Sequence, residues 1–232
     1  MGGTTVGRRD LLLASGAVLT GAGTAAQTQE KPRRLKFMVV GGHPDDPETG
    51  CGGTMARLAD LGHEVVAAYL TRGETGIPGT GAAEAARIRT AEAERACEIL
   101  GARPLFLGQV NGATEVTGAW YEKVRRVFSD EKPHVVLCHW PVDTHRDHRV
   151  VALLTYDAWL RLERPFALYY YEVMSGHQTQ LFHPSHFVDI GATVKRKHEA
   201  CLAHRSQKLE ETYAAHHGRM EVFRGMEAVS YT

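Results

Sequence analysis

Two short stretches of this 232-residue chain concentrate the side chains that can hold a cation or move a proton. The first is Gly42-His43-Pro44-Asp45-Asp46-Pro47-Glu48 and the second Asp143-Thr144-His145-Arg146-Asp147-His148. Imidazole nitrogens and carboxylate oxygens are the donors of a catalytic zinc, which takes three protein ligands and keeps a fourth position open for water. His145 and His148 are three apart, so they share one face if a helix starts there. Either stretch alone reads equally well as a turn rich in Pro and Asp or as a capped helix start. Two of them, each following a strand, make shared chemistry the better reading. Neighbouring side chains on an extended turn point in different directions, so one of Asp45 and Asp46 can bind metal while the other faces water. Glu48 reads as a brace for the loop rather than a ligand.

The elements that must position these residues follow from the hydrophobic pattern. Lys36–Gly42, Glu64–Leu70, Pro104–Leu107, His134–His139, Phe166–Val173 and His186–Ile190 read as strands. Helical patterning covers about 53–61, Ala82–Leu100 with Gly101 as its stop, 120–129 and 147–161, and most of the chain after residue 190. Strands alternating with helices predict a single-domain α/β fold, a mostly parallel Rossmann-like sheet with helices on both faces. Ligands of such sheets bind beyond the C-terminal strand ends, where both stretches fall. The glycine-rich segment Gly73–Gly81 is expected to be a mobile loop near that rim.

The motifs His43-Pro44-Asp45-Asp46-x-Glu48 and His145-x-Asp147-His148 resemble those of the PIG-L/LmbE-like family of zinc-dependent N-deacetylases. Arg89-x-x-Glu92 before Leu100-Gly101, Val188-Asp189-Ile190, and Lys195 followed by His204-x-Ser206-Gln207 extend the resemblance over about residues 36–207. It implies that His43, Asp46 and His148 hold Zn²⁺, or another divalent metal, and that Asp45 is the general base taking a proton from the attacking water. It implies further that His145, protonated and oriented by Asp147, stabilises the oxyanion, and that Arg89 contacts substrate. An Arg–Glu pair at i, i+3 is otherwise a common solvated helix pair. Arg146, Asn111 and Asp143 stand where many members carry proline, an Asp-Gly turn and a substrate-binding tyrosine.

The implied activity is removal of an acetyl group from an N-acetylated amino sugar or glycoconjugate, small-molecule or oligosaccharide. The alternatives are a zinc amidohydrolase for a different acylated small molecule and a non-catalytic sugar-binding protein on the same fold. Charge balance, 27 Lys+Arg against 27 Asp+Glu, speaks against nucleic acid as a partner. No apolar run reaches the length of a membrane span. Gly50-Cys51-Gly52-Gly53 lacks the lysine and spacing of a phosphate cradle. A homo-oligomer is compatible with everything above. Arg8-Arg9 ahead of a short apolar run ending Thr24-Ala25-Ala26 is expected to be a twin-arginine-type export signal over 1–26, with a linker over 27–35 and the deacetylase domain over 36–232. The expected location is therefore periplasmic or extracellular. Cys51, Cys97, Cys138 and Cys201 show no CxxC or zinc-finger spacing. His216-His217 reads as a solvated helix face, since adjacent helical residues diverge by about 100°. Trp140 and Tyr169–Tyr171 offer rings for core packing or for a sugar to stack on.

Overall fold

A computed structural model describes residues 33–230. The expected export signal and all but the last three residues of the expected linker lie outside the described residues. Five strands, β1 (Lys36–Gly41), β2 (Glu64–Tyr69), β3 (Arg103–Phe106), β4 (Val135–His139) and β5 (Ala167–Tyr171), form one sheet of order β3-β2-β1-β4-β5. Every pairing is parallel. The helices are α1 (Asp46–Asp60), α2 (Ala82–Leu100), α3 (Gly118–Glu131), α4 (Arg146–Arg161), α5 (Val194–Leu202), α6 (Leu209–Thr212) and α7 (His217–Ser230).

Period-two alternation sends each strand's side chains to two separate cores. Met38 and Val40 of β1 join Val66 and Ala68 of β2 against Val124, Phe128, Val151 and Leu154 of α3 and α4. Val39 joins Val65, Ala67 and Tyr69 against Met55, Ala93, Ala96 and Leu100 of α1 and α2. With both faces covered, the strands carry apolar residues at successive positions, the mark of a buried parallel sheet.

The sheet order reverses direction on either side of β1, with β2 to one side and β4 to the other, and this is where ligands of open α/β sheets bind. The register Val40↔Cys138 fixes the ends of β1 and β4 side by side. The stretch after β1 and the stretch after β4 are thereby brought into contact across 105 residues of sequence.

Helix α2 has the bounds the pattern predicts, and Gly101 closes it with φ 71°. Helix α1 starts at Asp46, seven residues before the patterned segment. Gly50, Gly52 and Gly53 hide it from propensity, because glycine is a poor helix former. Packing decides in its favour: a Cβ on Gly53 would stand 2.7 Å from Ile190 Cβ. The expected strand His186–Ile190 is not one; this segment crosses α1 as irregular chain, with Arg57 Nη1 donating to Asp189 O at 2.6 Å. Its alternation fits contact with a helix as well as with a sheet.

The C-terminal helix α7 is held by buried charge. Glu221 meets Lys197 Nζ at 2.7 Å and His198 Nε2 at 3.0 Å and accepts from Tyr213 OH at 2.8 Å, while Arg224 donates to both oxygens of Glu172. Burial alone would raise the Glu221 carboxyl's pKa, but Lys197 and the two further hydrogen bonds lower it. The stability this gives is present above the unfolded glutamate value of about 4.3 and is lost as pH falls below it. Glu221→Gln leaves Lys197 buried without its counter-charge and should cost about 2 kcal/mol in chemical denaturation. That is less than for a fully buried pair, because Glu221 retains some solvent access.

Candidate metal centre and active site

His43 sits between β1 and α1, Asp46 opens α1, and His148 sits in the first turn of α4. Their facing atoms form a near-equilateral triangle: His43 Nδ1 to Asp46 Oδ2 3.1 Å, His148 Nε2 to Asp46 Oδ2 3.2 Å, and His148 Nε2 to His43 Nδ1 3.3 Å. Tetrahedral zinc at about 2.0–2.2 Å from each donor requires separations of about 3.3–3.6 Å, within a few tenths of an ångström of those in the triangle. The residues therefore fit a divalent cation. The far nitrogen of each imidazole is already fixed by a carboxylate, His43 Nε2 by Asp147 Oδ2 at 3.0 Å and His148 Nδ1 by Asp143 Oδ1 at 3.2 Å. A far nitrogen that donates to a carboxylate leaves the facing one with its lone pair free for a metal.

Two other groupings of donors are close enough to be considered, His43/His145/His148 and Asp46/His139/His148. Hydrogen bonding disfavours both. Nε2 of His139 already accepts the Gly42 N–H at 3.2 Å, and Nδ1 of His145 accepts the Asp147 N–H at 3.2 Å. His139 instead stacks on His148, ring centroids 3.9 Å apart and planes within 8°. Burial and the neighbouring His148 charge bring its pKa down to about 4, so it is neutral.

Electrostatics follow the same geometry. Burial would raise Asp46, yet the His148 and His139 rings hold it well below the usual carboxylate range. For His148 the lowering by burial is outweighed by Asp46 and Asp143, which bring the ring's pKa up to about 10, so a cation at the triangle would displace the proton of the facing Nε2. Burial raises Asp45, with Arg89 opposing and Asp46 adding to the rise. Two adjacent aspartates thus have opposite tendencies, one a permanent anion and the other a better proton acceptor.

Asp45 has φ 115°, a left-handed backbone that costs a non-glycine residue of order 1–3 kcal/mol. Its peptide N–H donates to Glu48 Oε2 at 3.2 Å, the capping-box arm that Glu48 contributes, so the strain is set against that bond. Arg89 is 3% exposed; one amino group donates to Pro44 O and to Asp45 Oδ2, the latter at 3.0 Å. It is no solvated pair with Glu92, whose oxygens accept from the Ser206 N–H and hydroxyl.

The relation expected between His145 and Asp147 is corrected. The Asp147 carboxylate lies on His43 and accepts further from Asn111 Nδ2, Gly112 N and Thr114 Oγ1 at 2.9, 2.9 and 2.6 Å. His145 is the N-cap of α4 and is oriented by the Asp147 backbone N–H. A ring nitrogen that accepts a hydrogen bond carries no proton, so His145 is neutral here rather than protonated. Burial and the His43 and His148 charges lower its pKa accordingly. The ring keeps Nε2–H as a donor. Arg146 explains its place as well, donating to Gly112 O and Thr114 O and so pinning the loop that grips Asp147.

A cavity of about 280 Å³ opens over the triangle, lined by His43, Asp45, Asp46 and His148 together with Arg89, Asn111 and His145. Gly76, Gln178, Gln207 and His217 line it too. His217 was expected on a solvated face; α7 carries it to the cavity, and its Nδ1 is buried without a hydrogen-bond partner. The segment Gly73–Gly81 does reach this rim. Its first residues are tied down, with Glu74 and Thr75 bonded to Asn111 and Gly76 O accepting from Gln207. Trp140 and Tyr169–Tyr171 lie outside the cavity lining; Trp140 packs on Tyr170 and Phe182. All four cysteines are buried free thiols, each pushed up to about 12 by burial, and none is a nucleophile.

Sequence reasoning missed His139, Asp143 as the anchor of His148, the Asn111–Thr114 grip on Asp147, and His217. His139, at the C-terminal end of β4, had a signal in its position on the rim. Asp143 lay inside the second stretch and His216-His217 stood out as a pair, but their spacing named no partner for either. Gly42 also became legible only here. A Cβ on it would stand 2.8 Å from His148 Cδ2 and 3.3 Å from Asp46 Oδ2. Gly42→Ala should push these two donors apart and give protein that loses its metal on dialysis while still folding, as read by elemental analysis beside circular dichroism.

Fold and site together define an α/β protein with a cluster of two imidazoles and a carboxylate, of a geometry that fits a divalent cation, at the sheet's switch point. The chain belongs to the PIG-L family, described as GlcNAc-PI de-N-acetylase, whose model matches residues 38–159. It is 28% identical over 221 residues to the diacetylchitobiose deacetylase of Thermococcus kodakarensis, covering 84% of this chain and 82% of that protein. A conserved protein from Thermus thermophilus has the same fold at 33% identity and a TM-score of 0.65, over 75% of this chain and 80% of that one. The 4-carboxy-2-hydroxymuconate hydratase of Pseudomonas putida aligns with a TM-score of 0.73 at 23% identity, over 84% and 87%, a likeness of fold alone. One fold thus carries differently named enzymes, and activity has to be argued from the site.

Proposed function

We propose that this protein is a hydrolase that removes the acetyl group from an N-acetylated amino sugar or glycoconjugate, with a divalent cation, zinc by default, held by His43, Asp46 and His148. The carrying observation is the triangle of donors 3.1–3.3 Å apart with the Asp45 carboxylate beside it in the same cavity. Membership of the PIG-L family and the likeness to a diacetylchitobiose deacetylase favour an N-acetyl sugar over other amides. When bound, the cation supplies Lewis acidity, polarising the amide carbonyl and making water a better nucleophile at neutral pH.

The protein's own groups supply the rest. Asp45 takes a proton from water as its oxygen bonds to the acetyl carbon, and burial suits it to that task. His145, neutral and locked by the Asp147 amide, offers Nε2–H to the developing oxyanion. The C–N bond then breaks, the proton on Asp45 passes to the leaving nitrogen, and acetate and a free amine result. Arg89 holds Asp45 in place and lines the same cavity, where sugar hydroxyls would reach it. Gln178, Gln207 and His217 add polar groups suited to a sugar rather than an acyl chain.

The test is amine release from a panel of N-acetylated monosaccharides and disaccharides and of acylated non-sugar amides, with and without chelator. Chelator-sensitive release from the sugars supports the reading; release from the non-sugar amides alone overturns the substrate class. Export belongs to the same proposal, motivated by Arg8-Arg9 and Thr24-Ala25-Ala26. Arg8→Lys with Arg9→Lys should leave the precursor uncleaved in the cytoplasm, and normal processing of that variant would count against a twin-arginine route. Among the described residues no helix is long and apolar enough to cross a membrane.

A further inference from the structure

Beside Asp45 lies a set of buried polar groups that neither the cation nor the proton transfers use. Glu48, in the first turn of α1, is fully buried. Its Oε2 accepts the Asp45 N–H at 3.2 Å and its Oε1 accepts the Tyr69 hydroxyl at 2.5 Å. Nε2 of His204, just past α5, stands 3.7 Å from Glu48 Oε2, and His204 is itself fully buried with neither ring nitrogen in a hydrogen bond. Burying a carboxylate is unfavourable unless donors and charge surround it. Here they come from the end of β2 and from beyond α5, two elements remote in sequence from the loop. What they jointly fix is the acceptor for the N–H of the one residue in the motif whose backbone is left-handed, Asp45 at φ 115°.

An N-cap alone would not need this arrangement, because a helix start tolerates solvent around its capping carboxylate. Strained backbone persists only where its surroundings over-determine it, and that is what Glu48, Tyr69 and His204 do. We propose that Glu48, fixed by Tyr69 and His204, is a positioning residue that holds Asp45 in its left-handed conformation and so aims the carboxylate of the base. The inference rests on Asp45 being the general base.

The experiment is a double-mutant cycle read in kcat, KM and metal content. Glu48→Gln should lower kcat by about 10²-fold, the loss expected when a reacting group is displaced by about 1 Å. KM and metal content should stay as in the parent. Tyr69→Phe, which removes only the hydroxyl that fixes Glu48, should lower the same parameter by less. In the Asp45→Asn background neither change should slow the residual rate further, because a residue acting through Asp45 has nothing left to aim. Equal fold-losses in both backgrounds, unchanged kcat in Glu48→Gln, or loss of metal from it would overturn the inference. Should Glu48→Gln fail to fold, Tyr69→Phe decides by the same comparison. Failure of the underlying reading looks different: Asp45→Asn would then retain both its metal and its full kcat.

Discussion

Asp45→Asn keeps its metal and loses about 10²–10⁴-fold in kcat, the usual cost of removing a positioned general base. Asparagine has the size of aspartate and can still accept from the Arg89 amino group that lies 3.0 Å from the carboxylate. It cannot take a proton from water. The donor triangle is untouched, since it is built from His43, Asp46 and His148. Asp46→Asn has a different fault. It replaces an anion, held well below the usual carboxylate range by the rings around it, with a neutral amide oxygen facing a doubly charged ion. Metal content falls, activity falls with it, and added zinc restores part of the activity. Elemental analysis of the two purified variants separates the roles. Metal-free Asp45→Asn beside metal-replete Asp46→Asn would reverse the assignment.

Asp147→Asn should weaken metal binding by about 10–100-fold, the range typical of a lost outer hydrogen bond on a ligating histidine. Its carboxylate holds Nε2 of His43 and accepts from Asn111, Gly112 and Thr114. An amide offers one acceptor oxygen to these donors and points its own N–H₂ at the rest. Each buried donor left unpaired costs about 1–3 kcal/mol, so the folded state should weaken as well. The His43 ring loses the partner that selects its tautomer, and the alternative tautomer presents N–H instead of a lone pair to the metal. Titration with zinc against a competing chelator, beside a denaturant curve, measures both effects. A variant of unchanged affinity would show that Asp147 serves His145 after all, as the motif by itself suggested. The double effect distinguishes Asp147 from Asp143, which also anchors an imidazole of the triangle but accepts from Thr179 and the His145 N–H.

Read alone, the sequence determined the class of fold and which two stretches come together at its rim. Successive apolar positions at 37–40 and 65–70 report strands covered on both faces, and alanine-rich periodicity closed by Gly101 bounds α2 to the residue. That the two stretches meet was legible because both follow strands of a parallel sheet, whose C-terminal ends share one rim, whereas the set His43, Asp46 and His148 came from the resemblance of their motifs. Only the tertiary structure decided which carboxylate meets which imidazole. Asp147 is next to His148 and two residues from His145 in sequence, yet it serves His43, 104 residues away, because β1 and β4 are neighbours in the sheet. His139 looked like one more strand residue until its ring was stacked on His148, and His217 like a surface residue until α7 returned to the cavity. Local pattern records which face of an element is buried; the partner of a particular nitrogen or oxygen depends on how distant elements pack, and the spacing of nearby residues does not encode that.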